Sequence, residues 1–287
     1  MSSIRINLLG KALVSVIGAS LSAITFASPG FKMVIESRED SAAPNEVFFA
    51  AYNTYDDMLN GNLGPGSGFS QIGISSAFQI NGLAYDGKYR LVLQSKVDAA
   101  APNEVFVASY NTYDDMLIGN LGPGTGFTQI GISSAFQIVG LAYDGKYRLI
   151  LQSRVDAAAP NEVFVASYNT YDDLTNGTLG SGTGFTQIGI SSAFQIAGLA
   201  YDGKYRLVLQ SKVDAAAPNE VFFASYNTYD DLMNGTLGSG SGFSQIGISA
   251  AYRIAGLAYE TQAVPEPMSI IALGGGAIGL ALKRRKK

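Results

Sequence analysis

The 287-residue sequence contains no cysteine and no histidine. Without cysteine no disulfide can offset weak packing, and no thiolate can attack a substrate or bind a metal. Without histidine the usual general base near neutral pH is missing, and with it the commonest metal ligand and every Ser-His-Asp or Cys-His arrangement. Charge is sparse as well, at 15% of residues. Apolar runs long enough for an ordinary membrane span are absent too, and the two longest lie at the ends.

The first end, "MSSIRINLLGKALVSVIGASLSAITFASPG", has basic Arg5 and Lys11, then an apolar run from Ala12 to Phe26. Thr25 and Ala27 are small residues at the −3 and −1 positions of a signal-peptidase site, so residues 1–27 read as an export signal cut after Ala27. The other end, "VPEPMSIIALGGGAIGLALKRRKK", has an apolar segment of 15 residues from Met268 to Leu282. As a helix it is about 22 Å long against roughly 30 Å of hydrocarbon. The basic cluster Lys283 to Lys287 then stays on the cytoplasmic side.

This tail (residues 263–287) resembles the PEP-CTERM sorting signal: the motif Pro265-Glu266-Pro267, a short apolar helix and a terminal Arg/Lys cluster stand in that order. The resemblance implies an exported protein of a Gram-negative bacterium, reaching the cell surface or extracellular matrix. It implies processing near the motif by an exosortase-type membrane protease, transient membrane association through the apolar helix, and a setting of exopolysaccharide production.

Removing both ends leaves 12 Lys+Arg against 22 Asp+Glu, a net charge near −10 for residues 28–262. So acidic a surface repels phosphate backbones, and nucleic acid is not expected as a partner.

Residues 28–262 repeat with a period of 58. "APNEV" starts at Ala43, Ala101, Ala159 and Ala217, and "YNTYDD" at Tyr52, Tyr110, Tyr168 and Tyr226. A period of this size signals a solenoid, propeller or array. Within a unit, "FQIVGLAY" (136–143) and "KYRLILQS" (146–153) flank Asp144-Gly145, a tight-turn signal. "NEVFVASYNT" (161–170) is a third strand, and a long glycine-rich connection leads to a fourth, "FTQIGI" (185–190). Four hairpin-linked strands, apolar on both faces in places, need neighbours on both sides. A ring of four-stranded blades supplies them, and the repeats resemble β-propeller blades. An open solenoid, the other architecture, calls for altered capping units, whereas the terminal copies differ only mildly.

The motif "GLAYDGKYRL" occurs at Gly82, Gly140 and Gly198, but the copy at Gly256 breaks off after Tyr259. Its missing half matches the N-terminal segment shifted by 58: Phe31 aligns with Tyr89, Met33 with Leu91 and Ile35 with Leu93. The expected fold is therefore an all-β, four-bladed β-propeller in which N- and C-terminal strands together close the last blade.

Hairpin topology puts the "YDG" and "YDD" turns on one face of the disc. Asp86, Asp144, Asp202 and Glu260 follow the innermost strands, one per blade, and are candidates for a ring of oxygen ligands for calcium. An Asp-Gly turn also arises with no ligand. On the opposite face Asn103 and Asn161 are candidate sugar contacts; Tyr110 and Tyr168 are further candidates if their rings stack on a glycan. The pair Asp114-Asp115 suits a two-carboxylate glycosidase, but it recurs in every unit and catalysis needs one asymmetric constellation, so no enzyme is expected. The loops "LGPGTG" and "LGSGTG" lack the Lys-Ser/Thr and following helix of a phosphate cradle. The expectation is a non-enzymatic surface or matrix interaction protein without an obligatory cofactor, the alternative being a multivalent glycan binder associated with exopolysaccharide.

Overall fold

The computed structural model describes residues 29–37, 47–63, 70–72, 78–95, 105–121, 126–130, 132, 135–153, 163–179, 185–188, 194–211, 220–237, 242–247 and 252–261. All of them belong to one compact unit, Pro29–Thr261. The proposed export signal and the tail, with Pro265, Glu266 and Pro267, lie outside the described residues.

The chain runs β1 (Gly30–Ser37), β2 (Val47–Tyr52), α1 (Tyr55–Asn60), β3 (Ser70–Ile72). It continues with β4 (Phe78–Tyr85), β5 (Tyr89–Ser95), β6 (Val105–Tyr110), α2 (Tyr113–Leu117), β7 (Phe127–Ile130). The next unit is β8 (Phe136–Tyr143), β9 (Tyr147–Ser153), β10 (Val163–Tyr168), α3 (Tyr171–Asn176), β11 (Phe185–Ile188). Then come β12 (Phe194–Tyr201), β13 (Tyr205–Ser211), β14 (Glu220–Tyr226), α4 (Tyr229–Asn234), β15 (Phe243–Gly247), and finally β16 (Tyr252–Glu260).

These strands form four antiparallel sheets of four: β4-β5-β6-β7, β8-β9-β10-β11, β12-β13-β14-β15 and β16-β1-β2-β3. The last sheet joins the two ends of the domain. Met33 stands opposite Leu257, and Ile35 opposite Ile254. The fold is a four-bladed β-propeller, with the closing blade built as the broken motif requires. Phe31, Met33 and Ile35 are buried in this seam beside Val208 and Phe223 of the preceding blade. Each such burial contributes roughly 1.5–3 kcal/mol.

Ring closure is also visible at the axis. A Cβ on Gly82 would stand 3.1 Å from the Leu141 amide nitrogen, on Gly140 3.3 Å from that of Leu199, on Gly198 3.3 Å from that of Leu257, and on Gly256 3.0 Å from that of Leu83. The four contacts return to the starting blade, which an open stack cannot do. Just before each glycine the register slips by one residue, at Asn81, Val139, Ala197 and Ala255. Such a bulge increases local twist and bends the innermost strand toward its neighbour. The hydrophobic core correspondingly divides into four clusters, each drawing residues from two adjacent blades.

The connection from the third strand to the fourth carries a short helix in every blade, where the sequence reading had only a glycine-rich loop. Thr54, Thr112, Thr170 and Thr228 are the N-caps, each accepting a hydrogen bond from the amide of the aspartate three residues on. Gly61, Gly177 and Gly235 close their helices in the left-handed region, with φ of 64° to 68°. Five or six residues are too few for a helix to be stable alone. Burial of Met58, Met116, Leu174 and Leu232 against the blades holds them.

Candidate functional site

The turn joining the first two strands of a blade is built by its aspartate. Asp86 Oδ1 accepts from the Lys88 amide at 2.9 Å, and Asp144 from that of Lys146 at 2.9 Å. Gly87, Gly145 and Gly203 hold φ near 100°, a backbone conformation that favours glycine. The other carboxylate oxygen meets an arginine on the second strand: Arg90 Nε donates to Asp86 at 2.9 Å, Arg148 Nε to Asp144 at 2.9 Å, and Arg206 Nη2 to Asp202 at 3.0 Å.

Each arginine then reaches outward to the third strand. Its Nη1 donates to Ser109 at 2.5 Å, to Ser167 at 2.6 Å and to Ser225 at 2.6 Å in the three blades. A tyrosine from the next blade's helix covers the guanidinium. Arg90 lies 3.8 Å from the ring centre of Tyr171, Arg148 3.9 Å from that of Tyr229, and Arg206 3.9 Å from that of Tyr55. A second tyrosine of the next blade donates to the carboxylate: Tyr147 to Asp86 and Tyr205 to Asp144. Burial pushes both phenols well above their ordinary range, and the hydrogen bond to aspartate adds to that. The result is a blade-to-blade latch of Asp, Arg and Ser from one blade with two aromatic residues from the next.

The closing blade carries a variant of the latch. Lys32 replaces the arginine and pairs with Glu260 at 3.4 Å, its ammonium 4.9 Å from the ring centre of Tyr113. Burial, then the Glu260 charge, raises the Tyr89 and Tyr113 phenols. At the far end of the same seam Arg253 donates to Glu36.

The four candidate calcium ligands are thus placed in these latches. Asp86, Asp144 and Asp202 accept from protein donors, and Glu260 faces Lys32. Among the described residues no three acidic side chains converge as a metal ion would require. What rings the axis instead is the residue before each of them. Tyr85, Tyr143, Tyr201 and Tyr259 line a well at the mouth of the axial channel, floored by Leu83, Leu199 and Leu257 with the intervening alanines. Its volume is about 10 Å³, room for about one water. Each rim tyrosine is braced by a second ring, with centres 4.9 Å apart for Tyr85–Tyr89, 4.9 Å for Tyr143–Tyr147, 4.8 Å for Tyr201–Tyr205 and 4.9 Å for Tyr259–Phe31.

Tyr110 and Tyr168 correct the glycan-contact expectation. They end the third strands, paired with Tyr89 and Tyr147, and are 7% and 6% exposed. A sugar has no ring face to stack on there. Asn103 and Asn161 lie outside the described residues. The second aspartate of "YDD" accepts from the N-cap threonine of its own helix, whereas the first (Asp56, Asp114, Asp172, Asp230) is exposed. Sequence reasoning missed the helices, the latch and the tyrosine rim. The signals were there: Thr-x-x-Asp before an apolar residue, the Asp-to-Arg spacing of four across a tight turn, and a tyrosine ahead of each turn.

No protein-family model matches the sequence, and no curated protein matches it. Among solved structures, an endo-1,4-beta-xylanase from Bacteroides thetaiotaomicron VPI-5482 aligns over 81% of this chain and 78% of that one, at 14% identity and a TM-score of 0.34. So slight a likeness carries no argument, and the propeller assignment stands on the sheet order.

Proposed function

We propose that the chain is an exported, non-enzymatic interaction protein of the cell surface or extracellular matrix, delivered by an exosortase-like system. The observation that carries this reading is the fourfold repetition on one face. The same capped helix and exposed aspartate recur in all four blades, while the carboxylates beside the axis are tied into latches. Four equivalent surfaces suit repeated weak contacts with an extended partner, because linked sites gain avidity without new contacts. A catalytic site needs unlike groups converging on one bond.

The three-part tail supports the sorting half of the proposal. Among the described residues no helix is long and apolar enough to cross a membrane; the Met268–Leu282 segment lies outside them. The test is a tagged full-length chain expressed in its own bacterium, with and without Pro265→Ala and Pro267→Ala. The proposal expects the unaltered protein in the surface or matrix fraction at reduced mass, and the double variant unprocessed in the membrane. Identical mass and location for both would remove the sorting claim, and soluble protein that never associates with the matrix would remove the interaction claim.

A multivalent glycan-binding role is the second reading, favoured by the same repetition: a polymer of identical units offers four equal sites matching ligands. A glycan array probed with the exported protein tests it. Retention on repeating polysaccharides but not on single sugars is expected, and no retained glycan sets this reading aside.

A further inference from the structure

The outer rim of the disc is set apart by its lack of charge. Residues 58–85, 116–143, 174–201 and 232–252 contain no Asp, Glu, Lys or Arg, although the domain as a whole carries a net charge near −10. The outermost strand of every blade, β3, β7, β11 and β15, falls inside one of these spans. Each stands last in the order of its sheet, with a paired neighbour on one side. Such an edge offers its outward backbone N–H and C=O groups to another chain, and natural proteins commonly guard it with lysine, proline or a covering element. Here the four strands read SQI, FTQI, FTQI and FSQIG, with no charge and no proline.

Their side chains divide by face, because successive residues of a strand point to opposite sides. The isoleucine of each strand is buried, at Ile72, Ile130, Ile188 and Ile246, and anchors the edge to its blade. Phe127 stands opposite Ala108, and Gln129 opposite Phe106, so this phenylalanine and glutamine share the other face. Phe127 and Phe243 are 57% and 59% exposed. Gln129, Gln187 and Gln245 are exposed as well. The rim thus combines unguarded backbone with neutral side chains and, in two blades, an exposed aromatic ring.

The partner that fits such an edge is a second copy of the chain. Two acidic discs repel each other where charged surfaces meet, and the repulsion is least where both are neutral. We propose that copies of the chain join rim to rim, an outer strand of one pairing antiparallel with an outer strand of another. A strand paired with its own counterpart forms a two-fold contact that uses the same patch on both copies. A stable interface engages about 20–30 residues a side, and these short strands supply far fewer, so a single contact is weak. Four edges per disc multiply it. A disc held by one edge keeps three free, so assembly proceeds to a network instead of stopping at pairs. This contact is separate from the repeated helices of the disc face, and it does not depend on the sorting proposal.

The chain has no native cysteine, which makes a cross-linking test direct. The full chain with Gln129→Cys, Gln187→Cys and Gln245→Cys is expressed in its own bacterium and treated with a short, permeant bismaleimide. A denaturing-gel ladder at multiples of the chain mass is expected, and Gln129→Cys alone should stop at dimers. Lys88→Cys, Lys146→Cys and Lys204→Cys, in the turns beside the axis, should leave the chain at single mass. Adding Phe127→Lys and Phe243→Lys to the rim cysteines should cut the ladder to dimers, even though lysine lowers the repulsion between acidic discs. Sodium chloride screens that repulsion and should strengthen the ladder, a readout that stands if the lysine form does not fold. The proposal is overturned by single-chain mass from the rim cysteines, by an equal ladder from the inner turns, or by cross-links to a protein of other mass. A ladder untouched by the lysines, or weakened by salt, overturns it too.

Discussion

Glu36 on the first strand pairs with Arg253 on the last, at the position where every other blade sets glutamine opposite glutamine. The equivalents are Gln79 with Gln94, Gln137 with Gln152, and Gln195 with Gln210. The three glutamine pairs lie within hairpins, whose turns already dictate the partner. The closing seam has no turn. Among nearly identical repeats, a charge pair found only there marks β16 as the partner of β1 and opposes pairing with β4, β8 or β12.

Arg253→Gln should therefore destabilise the domain by about 1–3 kcal/mol, because it removes the cation facing a buried carboxylate. Adding Glu36→Gln restores the glutamine pair of the other blades and should recover much of the loss. Urea unfolding of the two single variants and the double variant measures the coupling. If the double variant were the least stable, the pairing argument would be wrong.

The axis is tight at Gly256, where a Cβ would stand 3.0 Å from the Leu83 amide nitrogen and 3.1 Å from its Cβ. Gly256→Ala should cost about 1–3 kcal/mol through overpacking. Gly126→Ala is the control, since nothing lies within 4 Å of its added carbon. Thermal melts of both should separate by several degrees.

The latch predicts a large effect at Arg148. Its side chain and that of Asp144 are 12% and 5% exposed, and the guanidinium also meets Ser167 and Tyr229. Removing one partner of such a pair costs about 3–5 kcal/mol, because the other charge stays buried. Arg148→Gln should show that loss. Arg148→Lys should fall between, since an ammonium cannot serve carboxylate, hydroxyl and ring in one plane. Equal melting for the two would reduce the latch to simple charge neutralisation.

Alkali should loosen the ring. Tyr89, Tyr113, Tyr147 and Tyr205 have folded pKa values raised above the ordinary 10.0. The unfolded chain then ionises first, so these groups stabilise fully below about pH 10 and lose that contribution as pH climbs past it. Each fully differing tyrosine contributes a slope of about 1.4 kcal/mol per pH unit. Urea midpoints should hold from pH 7 to 9 and drop steeply from 10 to 12, with tyrosinate absorbance appearing together with unfolding. Tyrosinate signal for all tyrosines ahead of unfolding would contradict the burial.

Little of the site itself was legible beforehand, and the reason is geometric. The sequence could place Asp144 at a turn and Arg148 four residues later, but not Tyr205, 61 residues away, whose hydroxyl reaches that carboxylate. Adjacency between blades comes from the ring, and no local pattern encodes which side chains the ring brings together. The same gap made Tyr110 and Tyr168 look available when their strand ends are buried between blades.

The sequence by itself determined the blade: a period of 58, a tight Asp-Gly turn, apolar strands with two covered faces, and a broken last copy whose complement stands at the other end. Strand pairing needs only local patterning and one missing partner, so the closure at Met33 and Leu257 followed from counting. The tertiary structure alone decided what the ring encloses. Four strands brought close enough for glycine to meet backbone leave tyrosine, not carboxylate, around the axis, because each carboxylate finds a cation within its own blade, an arginine in three and Lys32 in the closing one.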